Sequence, residues 1–314
     1  MSKILVTGGA GFIGSNLVDR LVSEGHQVCV VDDLSSGRKD YVHHQVVFYN
    51  MEISSEKLSK IFEIEKFEFV YHLAAQIDVR RSVSYPVFDN LVNIIGGLNV
   101  IKNSHEHGVK KIIFLSTGGA LYGETENIPT PEDEPTYPLS PYGIHKLTLE
   151  KYLNYYREVY GQNYIVLRLS NVYGPRQYKG GEAGIIANFV EAAVKKTSCF
   201  LSGDGLQTRD FLFVSDAVDA LVQAKEVDFY GEINVSTGRE VNMMSVVAAI
   251  EKATNEKLNC TSVPERLGEQ RRSCLSYQKA HEILGYEPKV DLQEGIRLTV
   301  EWAHLAQSQE IGEK

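Results

Sequence analysis

The chain is short of cysteine, of tryptophan and of basic charge, and these shortages narrow what it can be. Its 314 residues hold four cysteines (Cys29, Cys199, Cys260 and Cys274), none in C-x-x-C spacing or beside a histidine pair. Disulfide frameworks and zinc sites need such clustering, so reduced, mostly buried structural thiols in a cytoplasmic protein are expected, with no metal. Lysine and arginine number 32 against 41 acids, a formal charge of −9. A nucleic-acid binder needs a basic face to neutralise phosphates, so that role is excluded; a small basic cluster for one anionic ligand is not. No apolar run reaches the roughly 18 residues of a membrane span, so no membrane partner is expected. The opening MSKILVTGG reads as a strand and a turn, without the apolar core of a secretion signal. Repeats and low-complexity linkers are also missing.

What is present is an ordinary globular mixture, 43% apolar, long enough for about two domains. The first 115 residues alternate β-rich runs (Lys3–Thr7, Gln27–Asp32, Val46–Tyr49, Phe69–His72, Lys111–Leu115) with stretches of helical apolar spacing (Phe12–Glu24, Glu56–Glu65, Val87–His107). A further helix over Tyr142–Tyr160 precedes a sixth strand, Tyr164–Leu169. This alternation predicts an α/β fold, a doubly wound parallel sheet with helices on both faces. After Asn171 the texture changes to glycine-rich loops between helices (Glu182–Lys195, Val214–Lys225, Met243–Ala253, Leu292–Leu305), the last carrying the sole tryptophan, Trp302. Residues 1–170 are therefore read as a cofactor domain and 171–314 as mainly a smaller substrate-binding lobe packed on it. The segment Gly123–Tyr137 carries three of the nine prolines and reads as a binding loop.

Two motifs carry chemistry. Gly8, Gly9, Gly11 and Gly14 follow strand one and open a helix, in GxxGxxG spacing. Such glycines allow a tight turn and bring a pyrophosphate onto a helix N-terminus, as in Rossmann-type sheets. Asp32 ends strand two, where a carboxylate accepts the ribose hydroxyls of NAD and repels the 2′-phosphate of NADP. The alternative is a glycine turn followed by a solvated acid. The second motif is Ser140-Pro141-Tyr142-Gly143-Ile144-His145-Lys146. Ser140 suits a helix cap and Pro141 its first turn, which puts Tyr142 and Lys146 at i and i+4 on one face. A cation beside a phenol favours the phenolate, making Tyr142 a general base or acid. The alternative is a surface helix with an incidental Tyr and Lys.

Together with Thr117 at the end of strand five, these residues resemble the extended short-chain dehydrogenase/reductase family. Within it, VTGGAGFIGS, VVDDLSSG, HLAAQ, STGGALYGE, SPYGIHK, NVYGPRQ, GDGLQTRDF and PERLGEQRRS, in this order, resemble the sugar-nucleotide branch, in particular bacterial and archaeal UDP-glucose (galactose) 4-epimerases. The resemblance implies a homodimeric enzyme that holds NAD and inverts C4 of a UDP-hexose, with Thr117, Tyr142 and Lys146 as catalytic residues. Phe12 and Ile13 would give backbone donors to the pyrophosphate, and Asp32, Asp33, Ser35, Ser36 and Gly37 would surround the adenosine ribose. Glu52 and Ile53 would contact adenine, Glu52 standing where the family usually has Asp. Leu73, Ala74, Ala75 and Gln76 would lie under the nicotinamide half, with Asn93 near the cofactor, and His72 would pack at its strand end. Asn171, Asn188, Arg209, Arg266 and Glu269 would hold the UDP-sugar; Glu269 replaces the usual Asp, and Ser202 stands where an aromatic often flanks the uracil. Ser273 would line the space at the sugar's 2-position, a small residue leaving room for an N-acetyl group.

The same family places its Ser or Thr where Gly118 stands, so Thr117 would act from one position earlier. Dehydratases and decarboxylases of this fold carry an acid just after that residue, where this chain has Gly118 and Gly119. The alternatives are a UDP-glucuronate 4-epimerase and a non-catalytic NAD-sensing protein on the same fold.

Overall fold

A computed structural model describes residues 1–177, 184–264 and 270–312. Strands and helices alternate through the first half: β1 (Lys3–Thr7), α1 (Phe12–Ser23), β2 (Gln27–Asp32), β3 (Val47–Asn50), α2 (Leu58–Glu65), β4 (Phe69–His72), α3 (Val79–Ser84), α4 (Pro86–Asn90), α5 (Gly96–Glu106), β5 (Lys111–Thr117), α6 (Pro141–Tyr160) and β6 (Tyr164–Leu169). The second half holds β7 (Asn171–Tyr173), α7 (Ile185–Lys195), β8 (Cys199–Ser202), β9 (Thr208–Arg209), β10 (Phe211–Phe213), α8 (Val214–Glu226), β11 (Glu232–Val235), β12 (Val241–Asn242), α9 (Met243–Thr254), β13 (Cys260–Val263), α10 (Gln278–Leu284) and α11 (Leu292–Gly312).

Seven strands form one sheet in the order β11-β6-β5-β4-β1-β2-β3, and every neighbouring pair is parallel. Successive residues of each strand point to opposite faces, which builds two cores. Ile4, Val6, Val28, Val30, Tyr71 and Ile113 face the side of α1, α8, α7 and α9. Leu5, Cys29, Val31, Val70, Ile112 and Phe114 face α2, α5 and α6. Strand order reverses between β1 and β4. At such a switch point the carboxyl ends of the strands leave a crevice, and there this fold binds its ligands.

Three differences from the sequence expectation matter for the site. β11 and the helix before it, α8, come from beyond residue 170 yet complete the sheet, so the chain crosses back over the boundary drawn there. The helix expected over Val87–His107 begins at Pro86 and changes to a π-helical turn over Leu91–Ile95 between α4 and α5. Strand five runs on to Thr117, which places Ser116 and Thr117 on the sheet itself. The remaining strands form three small pairs, β7 with β10, β9 with β12 and β8 with β13.

Candidate active site

The glycine turn after β1 is shaped by contacts that no side chain would permit. Gly8 has φ +73°, and a Cβ there would meet the Ala74 backbone nitrogen at 2.7 Å; one at Gly14 would meet the Gly8 carbonyl at 2.0 Å. The turn is thereby pressed against the end of β4, and helix α1 starts tightly behind it. Gly11 caps α1 without a side-chain bond, and no acid occupies the first turn. The N–H groups of Phe12 and Ile13 thus lie in the first turn, at the positive end of a helix dipole, with no first-turn carboxylate competing for them.

Asp32 is buried and takes one backbone N–H on each oxygen, from Ala10 at 3.0 Å and Leu34 at 2.8 Å. Burial raises its carboxyl above the usual range, and these two donors pull it back. Each oxygen keeps a lone pair for a further donor. Asp33 closes the next turn by accepting from the Ser35 N–H and hydroxyl, at 2.9 and 2.6 Å. Ser35 and Ser36 are exposed, and a Cβ on Gly37 would strike Ala10 at 2.9 Å. Glu52 is exposed beside Ser54, while Ile53 is buried against Gly96. These groups form a rim and floor matching an adenosine, and the residues present fit NAD.

At the end of β4 the chain turns through Leu73, Ala74, Ala75 and Gln76. Asn93, inside the π turn, accepts the Gln76 N–H at 2.9 Å and donates to the Gln76 carbonyl at 3.0 Å. Its amide is spent on holding that backbone, which makes it a positioning residue; π turns often mark such sites. The Gln76 side chain donates to the buried Asp89 at 2.7 Å, and Asp89 also pairs with His145 of α6. His72 is buried, shares a 2.8 Å hydrogen bond with Thr7 and stacks near Phe114. Burial pushes it down to about 3, so it stays neutral, and among the described residues no group of His, Cys, Asp or Glu is arranged for a metal.

Ser140 caps α6 by accepting the Gly143 N–H at 3.2 Å, and Pro141 fills its first turn. Lys146 lies buried on the inner face, its Nζ 6.0 Å from the centre of the Tyr142 ring and donating to the Leu115 carbonyl at 2.8 Å. That bond fixes the helix to the end of β5, two residues before Thr117. The Tyr142 N–H donates to Ser82 at 3.2 Å. Burial lowers the Lys146 ammonium to about 8, while Glu150 and Asp89 draw it upward. Glu150 is itself buried, paired to Arg168 at 2.6 Å and bonded to Ser116 at 2.6 Å; Arg168 continues to Tyr122 at 2.8 Å. This network was not anticipated from the sequence: its partners sit far apart in the chain, and an acid and an arginine inside apolar runs were the only signal.

Across the crevice, Asn171 opens β7 and is exposed, its N–H donating to the Asp210 carbonyl at 2.9 Å. Arg209 ends β9, with Nη1 donating to the Thr208 carbonyl at 2.7 Å, and Asn188 is exposed on the first turn of α7. Asp210 gathers this side. Its carboxylate accepts from Thr237 and Gly238, at 3.0 Å from each backbone N–H, and from the Cys274 thiol at 3.6 Å. It therefore holds Asn171, Arg209 and the half-buried Ser273 within one neighbourhood. Arg266 and Glu269 lie outside the described residues.

The segment carrying Ser273 also meets the cofactor side. A Cβ on Gly118 would lie 2.2 Å from Leu275, whereas one on Gly119 would meet nothing within 4 Å. Leu275 thus occupies the space that a Ser or Thr at 118 would need, and the Ser116 hydroxyl of β5 is spent on Glu150.

A dinucleotide-type sheet with a Tyr–Lys pair at its switch point defines an NAD-using enzyme of the short-chain dehydrogenase kind. The chain belongs to the NAD dependent epimerase/dehydratase family, whose model matches residues 4–236. Among solved structures it is similar to the UDP-glucose 4-epimerase of Thermotoga maritima with UDP-glucose, at 44% identity and TM-score 0.95 over 97% of this chain and 99% of that one. It is also similar to the UDP-glucose 4-epimerase of Thermus thermophilus in complex with NAD, at 39% identity and TM-score 0.92 over 96% and 98%. A third likeness is the UDP-N-acetylglucosamine 4-epimerase of Methanobrevibacter ruminantium with UDP-N-acetylmuramic acid, at 33% identity and TM-score 0.92 over 98% and 99%.

Proposed function

We propose that this chain is an NAD-dependent UDP-hexose 4-epimerase, interconverting UDP-glucose and UDP-galactose through a 4-keto sugar. The observation that carries this reading is the buried Lys146, tied to β5 at Leu115 and set on the same helical face as Tyr142. The Lys146 charge stabilises the Tyr142 phenolate, which takes the proton from the sugar 4-hydroxyl and becomes the neutral phenol. Thr117 holds the 4-oxygen. NAD, when bound, supplies a hydride acceptor that returns the hydride to the opposite face of the ring. Gly118 and Gly119 offer no acid to expel a hydroxyl or assist loss of a carboxylate, which favours epimerisation over dehydration and decarboxylation.

The cofactor residues are Gly8, Gly11 to Gly14, Asp32, Asp33, Ser35 to Gly37, Glu52, Ile53 and Leu73 to Gln76, the last positioned by Asn93. Asn171, Asn188, Arg209, Arg266 and Glu269 hold the nucleotide diphosphate and sugar, arginine forks matching a diphosphate bidentately. In this assignment residues 1–170 serve mainly the cofactor and 171–314 mainly the UDP-sugar, on one shared sheet. Ser273 leaves room for a 2-N-acetyl group, so UDP-GlcNAc and UDP-GalNAc are substrates as well. A homodimer is supported by Val87, Leu91 and Ile95, an exposed stripe beside exposed Ile144, Tyr152, Tyr155 and Val159 of α6. The four free cysteines support a reducing compartment, the cytoplasm; among the described residues no helix is long and apolar enough to cross a membrane.

The test is incubation of the purified protein with a panel of UDP-sugars and no added cofactor. UDP-galactose formed from UDP-glucose, with NAD and not NADP released on denaturation, is the expected result. Tightly held NAD without turnover of any UDP-sugar would favour the sensing protein instead.

A further inference from the structure

We propose that Cys199 and Cys260 form a reversible intrachain disulfide, an oxidisable staple in the second half of the chain. The two residues are direct register partners on the parallel strands β8 and β13, and their sulfurs stand 2.9 Å apart. Neighbouring strands lie about 4.8 Å apart, inside the roughly 4.4–6.8 Å Cα spacing that a disulfide spans. Both side chains belong to the same apolar face of the strand pair. The sulfurs need to approach by about 0.9 Å for the bond to close.

The other two thiols set a contrast. Cys29 is buried in the opposite core, and the Cys274 thiol is engaged by Asp210; among the described residues neither is in hydrogen-bond contact with another thiol. Burial pushes the Cys199 thiol up to about 12, so it is held protonated, whereas Cys260 is only half-buried. The order of steps follows. With hydrogen peroxide as oxidant, the Cys260 thiolate attacks one peroxide oxygen, the O–O bond breaks, and the departing hydroxide gains a proton to become water. The Cys199 sulfur then attacks the resulting sulfenic sulfur, and its own proton leaves with the hydroxyl as a second water. Two thiols are oxidised by two electrons and one peroxide is reduced. A dithiol reductant reverses the bond by exchange. The staple would join strands already tied at their exit, where the Gly203 N–H bonds the Val263 carbonyl and the Ser262 hydroxyl bonds the Gly203 carbonyl. From there the chain runs to Arg209.

The experiment titrates thiols on the full-length protein, denatured after brief hydrogen peroxide treatment, and maps its peptides by mass. The expected result is a fall from the four thiols of the sequence to two, with one linked peptide pair containing Cys199 and Cys260, and full recovery with dithiothreitol. In Cys199→Ser, Cys260 should instead accumulate as sulfenic acid that a dimedone probe captures. Four thiols persisting in the treated wild type, or losses spread over Cys29 and Cys274 or between chains, would overturn the proposal. The wild-type count alone decides this, whether or not the serine variant folds.

Discussion

The two walls of the crevice are built by different physics. On the cofactor wall, functional groups are held by buried hydrogen bonds: two backbone N–H groups on Asp32, both ends of the Gln76 backbone on Asn93, and Lys146 on the Leu115 carbonyl. The sugar wall has one such buried anchor, Asp210, which accepts the Thr237 and Gly238 N–H groups, and its short strand pairs are otherwise pinned by exposed ion pairs, Arg271 to Asp204 at 2.9 Å and Arg272 to Glu240 at 2.5 Å. Buried bonds are little affected by salt, whereas exposed pairs contribute little and are screened. A cofactor that is regenerated in every cycle needs the first kind of wall. A substrate that must leave after every cycle is served by the second.

The largest expected effect comes from the catalytic face itself. Tyr142→Phe and Lys146→Met should each lower kcat by about 10²–10⁴-fold, the range for general acid–base groups, while bound NAD remains. Wild-type turnover by Tyr142→Phe would remove the phenol from the chemistry. Lys146→Met should also stabilise the fold at neutral pH. An ammonium lowered from 10.5 to about 8 by burial costs about 3 kcal/mol while charged. That cost is present in full below pH 8 and shrinks as pH rises toward 10.5. Chemical denaturation of variant and wild type at pH 7 measures the difference.

Next comes the buried pair behind the lysine. Glu150→Gln leaves Arg168 buried with no carboxylate, a loss of about 3–5 kcal/mol, read as a lower denaturation midpoint. It also has a kinetic signature that a purely structural residue would not have. Since kcat requires charged Lys146, activity should decline as pH rises through about 8. Glu150 draws the ammonium upward, so in Glu150→Gln this alkaline limb should move to lower pH. An unmoved limb would mean that Glu150 only supports the fold.

How much of this was legible in the chain follows the same division. The cofactor wall is local in sequence: a strand, a glycine turn and a helix in one stretch, and a Tyr–Lys spacing within one helical turn. Six of the seven sheet strands are short runs rich in β-branched or aromatic residues, which the sequence pattern shows. β11 escaped because Glu232 and Asn234 interrupt its apolar residues, and it gains its place only by pairing with β6. Asp210, Glu150–Arg168 and the Cys199–Cys260 contact escaped because partners 18 to 64 positions apart leave no periodic trace. Gly118 was visible as a departure, but its cause, the Leu275 side chain, lies far along the chain.

A smaller effect tests the sugar wall's selectivity. Ser273→Tyr should reduce kcat/KM for the N-acetylated pair about tenfold or more relative to UDP-glucose and UDP-galactose, an overpacking cost of about 1–3 kcal/mol felt by the larger substituent alone. Equal losses on both pairs, or no N-acetyl activity in the wild type, would remove Ser273 as the gate.

The smallest effect probes the comparison most directly. Asp204→Asn removes the carboxylate from the exposed pair with Arg271, while the Thr208 N–H still donates to the Arg271 carbonyl at 3.0 Å. The segment therefore keeps a backbone anchor, and KM for UDP-glucose should rise only about two- to fivefold at low ionic strength, the scale of an exposed ion pair. Added salt already screens that pair in the wild type. The gap between variant and wild type should therefore close as salt is raised, while NAD content stays constant in both. A gap that persists at high salt would mean that Asp204 acts through hydrogen-bond geometry, as Asp32 does on the other wall, and the contrast between the two walls would fail at this position.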